Sequence, residues 1–345
     1  MKIVDFDFDP DLLQRFLDWP RQHYVGDPNW IPDPAAVHLL SKGANPGALW
    51  RNFLLLAEAE KICGRVTALV NPRLCDDNQR PYGQLGFFEC VDDLSAARQL
   101  FDAAFTWMRE NAPATRSVLA PINFDTWHIY RLRTSGFDQS TFLMEPYNLP
   151  YYPALFNAMG FTPAMNYVSK TVDNMPTLLD AWRPYYEQAV AQGYTFRSFD
   201  PANLSAEMTL VYNLSVPTFR DNFFFAETSE AEFRALYAGV AGSVDPALLF
   251  FMRDAAGAPV GFSFSVPDHR QPQTVNLKTF GVMPHVRGAG VGAALAYEAY
   301  RRFQAKGYTR VNHCLMRSGN RADQFDRGMA KITREYTLYA KRLFS

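Results

Sequence analysis

What this sequence lacks narrows the reading first. No apolar run approaches the ~20 residues that span a bilayer as a helix. A formal net charge of −1 supplies no basic field, so neither nucleic acid nor an anionic membrane surface is an expected partner. There are only four cysteines, Cys63, Cys75, Cys90 and Cys314, and no pair has the spacing of a zinc site or a redox motif. Neither a metal nor a disulfide framework is expected. The first ten residues alternate apolar and acidic side chains and lack the basic-then-apolar order of a signal peptide, which points to a reducing cytoplasm.

What is present fits a globular protein. The chain has 345 residues, 48% hydrophobic and 20% charged, enough for two domains with sizeable cores. Aromatics reach 15%, with 28 Phe and 17 Tyr. They fill a core or line an apolar groove; composition alone favours the core.

The two halves repeat one plan. In the first, residues 53–58 and 62–70 read as a hairpin, followed by a strand at 84–90 and a helix at 94–110. In the second, 248–253 and 260–266 form the hairpin, with a strand at 275–282 and a helix at 289–306. Val291, Leu295, Ala299 and Phe303 recur every four residues along that last helix and mark its buried stripe. Each half continues with a strand (117–121 and 311–316), a short helix ending near Gly160 or Gly328, and a closing strand (165–171 and 334–339). The longer spacing in the first half fits an insertion at about 123–150. The expected fold is therefore α/β (α+β): two tandem domains, 1–175 and 176–345, each a mixed, largely antiparallel twisted sheet flanked by helices. The helix at 177–191 connects them, and the Pro- and Gly-rich stretch 26–47 reads as an extended loop or flap.

The chemistry concentrates in Gly281-Val282-Met283-Pro284-His285-Val286-Arg287-Gly288-Ala289-Gly290-Val291-Gly292. A strand ends at Val282 and a helix begins a few residues later. Glycines let the backbone turn sharply and approach a ligand. The first amides of a helix have no internal partner, and the helix dipole adds positive potential, so such a turn suits phosphate oxygens. The segment lacks the Gly-Lys-Ser/Thr ending of a P-loop, and its antiparallel surroundings do not suit a dinucleotide fingerprint.

With Arg287, Gly290 and Gly292 in an Arg/Gln-x-x-Gly-x-Gly/Ala pattern, the second half resembles the GNAT acyltransferase superfamily. That resemblance implies an acyl-CoA-dependent N-acyltransferase, with acetyl-CoA or another acyl-CoA as co-substrate and a small-molecule amine or lipid-like acceptor. It implies that Val282, Met283, Arg287, Gly288, Ala289, Gly290, Val291, Gly292 and Asn320 bind the coenzyme, and that strands 275–282 and 311–316 splay to admit its pantetheine arm. The first half resembles the same fold, but carries Val91-Asp92-Asp93-Leu94-Ser95 where the loop would lie. The aspartates suit a helix N-terminus and would repel a diphosphate, leaving a degenerate repeat that shapes the acceptor site or serves as scaffold. Asp27-Pro28-Asn29-Trp30-Ile31-Pro32, Pro121-Ile122-Asn123-Phe124 and Glu145-Pro146-Tyr147-Asn148-Leu149-Pro150-Tyr151-Tyr152 add a narrower resemblance, to tandem GNAT-like bacterial proteins linked to acylation of long-chain amines in ceramide-type lipids.

Amine acylation needs a route for the amine proton, a polarised thioester oxygen and a protonated thiolate. Many members of the superfamily use a tyrosine in the helix after the asparagine; Asn320-Arg321-Ala322-Asp323-Gln324-Phe325-Asp326-Arg327-Gly328 has none. The substitutes are Tyr336 on the closing strand, with Tyr339, and His313 beside Cys314; Asn276 and Lys278 lie on the strand before the loop. Residues 221–225 read as a loop packed on the core or a lid, and Asp125, Trp127 and His128 as acceptor contacts or surface chemistry. A non-catalytic acyl-CoA-binding or regulatory protein is the main alternative. An aminoacyl-tRNA-dependent transferase is a third, disfavoured by the absence of a basic stripe.

Overall fold

The computed structural model describes residues 1–33, 35–42, 44–45, 47–242, 244–320 and 323–343; the side chains of Val240 and Ala241 lie outside the description. The chain forms two compact units. Unit 1 comprises Met1–Asn166, Phe224–Ala226 and Tyr336–Ser345; unit 2 comprises Tyr167–Phe223 and Glu227–Glu335.

Unit 1 begins with β1 (Lys2–Phe6), α1 (Pro10–His23) and the short α2 (Ala36–Leu39), then β2 (Leu49–Leu56), β3 (Ile62–Cys75) and β4 (Pro81–Cys90). After these come α3 (Leu94–Asn111), β5 (Ser117–Ala120), β6 (Leu132–Ser135), α4 (Tyr152–Ala158) and β7 (Thr162–Val172), which runs on into unit 2. The strands β1 to β4 form an antiparallel meander, and β4 pairs in parallel with β5. The apolar spacing of α3 buries Ala97, Leu100, Phe101, Ala104, Phe105 and Met108 against β2 and β3, the periodicity of one helical face. Each buried Phe contributes about 1.5–3 kcal/mol.

Unit 2 follows with α5 (Met175–Ala191), β8 (Thr195–Ser198), α6 (Leu204–Phe219), α7 (Glu230–Ala241), β9 (Leu249–Arg253), β10 (Pro259–Pro267), β11 (Thr274–Val282), α8 (Val291–Ala305) and β12 (Arg310–Arg317); β13 (Lys331–Arg342) starts in unit 2 and belongs to unit 1 from Tyr336 on. Its sheet runs β7-β12-β11-β10-β9-β8. Helices α5 and α8 cover one face with Leu178, Trp182, Leu295, Ala299 and Phe303; α6 covers the other with Leu214 against Phe251 and Phe262. The tandem α/β plan and both hairpins are as the sequence pattern suggests.

Two elements differ. The strand read as closing the first half pairs with β12, Val172 opposite Val311 and Tyr167 opposite Arg317, inside unit 2. The closing strand of unit 1 comes instead from β13, where Tyr339 faces Ala120 and Arg342 faces Ser117. Hydrophobic alternation identifies a strand but not its neighbour. The second difference is the short helix expected at Asn320–Gly328. Its described residues form turns, because local side-chain bonds displace helical ones: the amide of Asp323 donates to Asn320 Oδ1 at 2.8 Å, that of Gly319 to Asp323 Oδ2 at 2.8 Å, and that of Gly328 to Asp326 Oδ1 at 2.8 Å. Lys170 on β7 holds the segment through Asp323 Oδ1 at 2.8 Å and Asp326 Oδ2 at 3.0 Å. Positions Arg321 and Ala322 lie outside the described residues.

Candidate functional site

Strands β11 and β12 pair in parallel from Thr274–Arg310 to Leu277–His313, and there the pairing ends. Beyond it, β11 continues to Val282 along β10, while β12 continues along β7 to Arg317. A bulge at Lys278 marks the parting, since Thr279 faces Phe264 and Leu277 faces Ser265. The amide of Met283 donates to Val260 at 2.7 Å on the β10 side. By strand alternation the main-chain groups of Phe280 and Val282 then point the other way, to the side that β12 has left. The expected splay is present and ends at the glycine loop.

That loop enters α8 through three consecutive left-handed residues: Gly288 (φ 105°), Ala289 (φ 45°) and Gly290 (φ 79°). Gly290 is the N-cap, so no side-chain cap covers the amides of Gly292 and Ala293. A side chain at Gly288 or Gly292 would meet nothing within 4 Å, which leaves the backbone accessible there. At Gly290 a Cβ would overlap the ring of Tyr185 on α5. Arg287 donates to the Thr218 carbonyl at the end of α6 (2.6 Å) and stands 3.5 Å from the exposed Asp221 carboxylate. It therefore braces the loop against α6 and brings positive charge to the mouth. Asn320, expected at a helix start, caps the turn at Asp323.

Among the described residues, unit 1 shows no such opening. Its β4–β5 pairing ends at Gln84–Leu119, but residues 122–123 fill the continuation: the Ile122 amide donates to Leu85 O at 3.0 Å, and Asn123 Oδ1 accepts from the Phe87 amide at 2.8 Å. Ile122 O and Asn123 Oδ1 crowd Gly86 so closely that no Cβ fits. The α3 N-terminus is also closed, since Asp93 accepts from the amides of Ser95 (2.7 Å) and Ala96 (3.4 Å). The slot is thus sealed by Ile122 and Asn123, at the start of the inserted segment.

The two candidates for proton transfer are enclosed. His313 Nε2 meets Tyr300 Oη at 2.6 Å, and Nδ1 has no partner among the described residues. Burial, aided by the nearby Lys170 charge and opposed by Asp326, lowers its pKa to about 4, so the ring is neutral near pH 7. Tyr336 belongs to unit 1, is fully buried, and donates its hydroxyl to Glu145. Asn276 ends a buried polar ladder: Thr171 Oγ1 to Asn312 Oδ1 at 2.8 Å, then Asn312 Nδ2 to Asn276 Oδ1 at 2.9 Å.

The segment after Asp221 packs rather than hovers. Phe224 sits against Tyr82, Phe225 against Trp127, and Trp127 Nε1 donates to Ala226 O at 2.9 Å, all within unit 1. His128 Nδ1 lies 2.6 Å from Asp125 Oδ1. The three motifs of the narrower resemblance meet in the same unit. Tyr147 donates to Asp27 at 2.7 Å and Asn123 reaches Asp33 at 3.4 Å, while Tyr24 and Tyr152 both donate to Glu89 at 2.6 Å. Sequence reasoning missed Glu89, Tyr24 and Tyr185, which carry no local pattern to distinguish them from ordinary core or surface positions.

Residues 208–325, which include the parting strands and the loop, match the acetyltransferase (GNAT) family model. The chain is similar to Protein YghO of Escherichia coli strain K12, 24% identical over 264 residues, covering 74% of this chain and 66% of that protein. It is also similar to the bacterial ceramide synthase of Caulobacter vibrioides strain NA1000 / CB15N, 23% identical over 259 residues, covering 73% and 67% respectively. The chain thus spans about two thirds of the length of these curated relatives. In fold it resembles a tandem GNAT protein from the clavulanic acid biosynthesis pathway, with TM-score 0.58 at 13% identity over 100% of this chain and 99% of that one. It likewise resembles the glucosamine N-acetyltransferase region of a fungal multi-domain GH3 β-N-acetylglucosaminidase, with TM-score 0.59 at 15% identity over 99% of this chain and 38% of that one. The parted strands and the glycine turn into α8 thus lie within the segment that matches the GNAT family model, in the second unit, and the fold of the whole chain is similar to that of a tandem GNAT protein.

Proposed function

We propose that unit 2 binds an acyl-CoA at Val282, Met283, Arg287, Gly288, Ala289, Gly290, Val291 and Gly292, and passes its acyl group to an amine. The observation that carries this reading is the end of β11–β12 pairing at Leu277–His313, followed by an uncapped helix N-terminus. An extended pantetheine arm would complete the open strand edge at Phe280 and Val282, and its diphosphate would meet the amides at the start of α8. Asn320 would act from the turn side. In the reaction the amine nitrogen forms a bond to the thioester carbonyl carbon, the C–S bond breaks, the amine loses a proton and the thiolate gains one. Oriented main-chain amides at the strand edge would stabilise the developing oxyanion.

For proton transfer the reading retains His313, which stands on the last paired row with Nδ1 unpartnered among the described residues. Tyr336 enters only as a fixed neighbour of Glu145. Similarity to a protein named bacterial ceramide synthase makes a long-chain amine the first acceptor to try. The setting proposed is a reducing cytoplasm, where the four free cysteines would remain thiols. Titration calorimetry with coenzyme A, followed by thiol release from acetyl- and palmitoyl-CoA with an amine panel, tests the reading. No heat of binding near millimolar ligand would sink it. Binding without thiol release would favour the non-catalytic alternative.

A further inference from the structure

Tyr185 is an exposed aromatic with an unusual neighbour. It lies on α5, where Leu178, Leu179 and Trp182 are buried, yet Tyr185 itself keeps 40% of its surface exposed. The Cδ1 edge of its ring stands so close to the loop that any Cβ at Gly290 would overlap Cδ1 and stand 2.9 Å from Cγ. The flanking Gly288 and Gly292 face open space. One turn back on the same helical face, Trp182 stacks on Phe325 at 4.6 Å, and Phe325 in turn meets Phe280 at 5.1 Å. Phe280 belongs to the part of β11 beyond its last pairing with β12. Helix α5 therefore reaches from the glycine loop to the parted strands, beside the turn segment that stands where a helix was expected.

We infer that α5 supplies an aromatic side wall to the coenzyme site, with Tyr185 flanking the diphosphate. This rests on the acyl-CoA reading above. An N-cap side chain leaves a helix sideways, while its first amides point along the axis, so a ring at the Gly290 Cβ position flanks an anion at the helix end without blocking it. The positive edge of the ring suits a nearby phosphate oxygen. By excluding water from one side it strengthens the main-chain hydrogen bonds there.

The test is coenzyme A affinity by calorimetry for the wild type, Tyr185→Phe and Tyr185→Ala, together with the emission of Tyr185→Trp during titration. Tyr185→Phe is expected to bind within about threefold of wild type and Tyr185→Ala roughly tenfold more weakly. The tryptophan emission should shift on saturation with the calorimetric Kd. Wild type that fails to bind overturns the acyl-CoA reading itself. Wild type that binds, with Tyr185→Ala equal to it or tighter, overturns the wall; tighter binding would make the ring an obstruction. If Tyr185→Ala does not fold, an unmoved emission in Tyr185→Trp that still binds coenzyme A overturns the inference equally.

Discussion

Arg287 donates to the main-chain carbonyl of Thr218 across 2.6 Å, joining the glycine loop to the last turn of α6. The loop's arginine is thus held in place before any ligand arrives, with about a third of its side chain exposed. Replacing it by alanine removes the brace and, on the proposed acyl-CoA reading, a phosphate partner. Arg287→Ala should weaken coenzyme A binding by roughly tenfold to a hundredfold, the range of a hydrogen bond to a charged group. Calorimetry reads the affinity, and amide exchange should show faster opening around Thr218.

The glycines of the loop should separate stability from binding. Gly290→Ala places a side chain at φ 79° and into the Tyr185 ring, so it should lower stability by about 1–2 kcal/mol or more. Gly292→Ala meets open space inside the first turn of α8 and should leave stability unchanged or raise it by up to about 1 kcal/mol. Its methyl nevertheless stands where a diphosphate would approach. Thermal melts and calorimetry on the two variants should therefore give opposite rankings for Tm and a shared loss of coenzyme affinity.

Acid should destabilise the protein through its buried histidines. His313 is held neutral by burial, with its folded pKa lowered to about 4 from an ordinary 6.5. His23 is also lowered to about 4, chiefly by burial and also by the Arg65 charge. Between these limits the unfolded chain binds protons that the folded chain refuses, so this stability is present above pH 6.5 and is lost as pH falls toward 4. The His313 share is of order a few kcal/mol. Denaturant midpoints at pH 7 and pH 4.5 should differ by less in His313→Gln than in wild type; an equal difference would refute the assignment.

In unit 1, Asn123→Ala leaves the buried amide of Phe87 without its 2.8 Å acceptor. A loss of about 1–3 kcal/mol is expected, measurable by urea unfolding. Coenzyme A should bind wild type with a stoichiometry of one per chain, because residues 122–123 occupy the slot of unit 1. Two sites per chain would contradict that closure.

The legibility of the sequence followed the range of each interaction. Helix α8 and the turn before it were readable, because the spacing of Val291, Leu295, Ala299 and Phe303 and the glycines of the loop are local signals. The exchange of closing strands was not, because Val172–Val311 and Tyr339–Ala120 are choices between distant partners of equal hydrophobicity. A helix was expected at Asn320–Gly328, but its described residues turn, held by local side-chain bonds and by Lys170, far away on β7. Asp92 and Asp93 suggested a helix N-terminus that would repel a diphosphate, and Asp93 does cap α3; the structure adds that Asn123 fills the gap. Tyr185 had no signal, since an exposed tyrosine on a helix is ordinary until the glycine beneath it is known.

The strand that completes unit 1 also sets an order of events during synthesis. Residues 336–342 leave the ribosome after strands β7 to β12 of unit 2's sheet, so the β5 edge that Tyr339 covers at Ala120 stays unpaired until then. An open strand edge is an aggregation hazard while it waits. A gene fragment cut near residue 175 would leave it open for good, and adding the 331–342 segment in trans would be the natural way to close it.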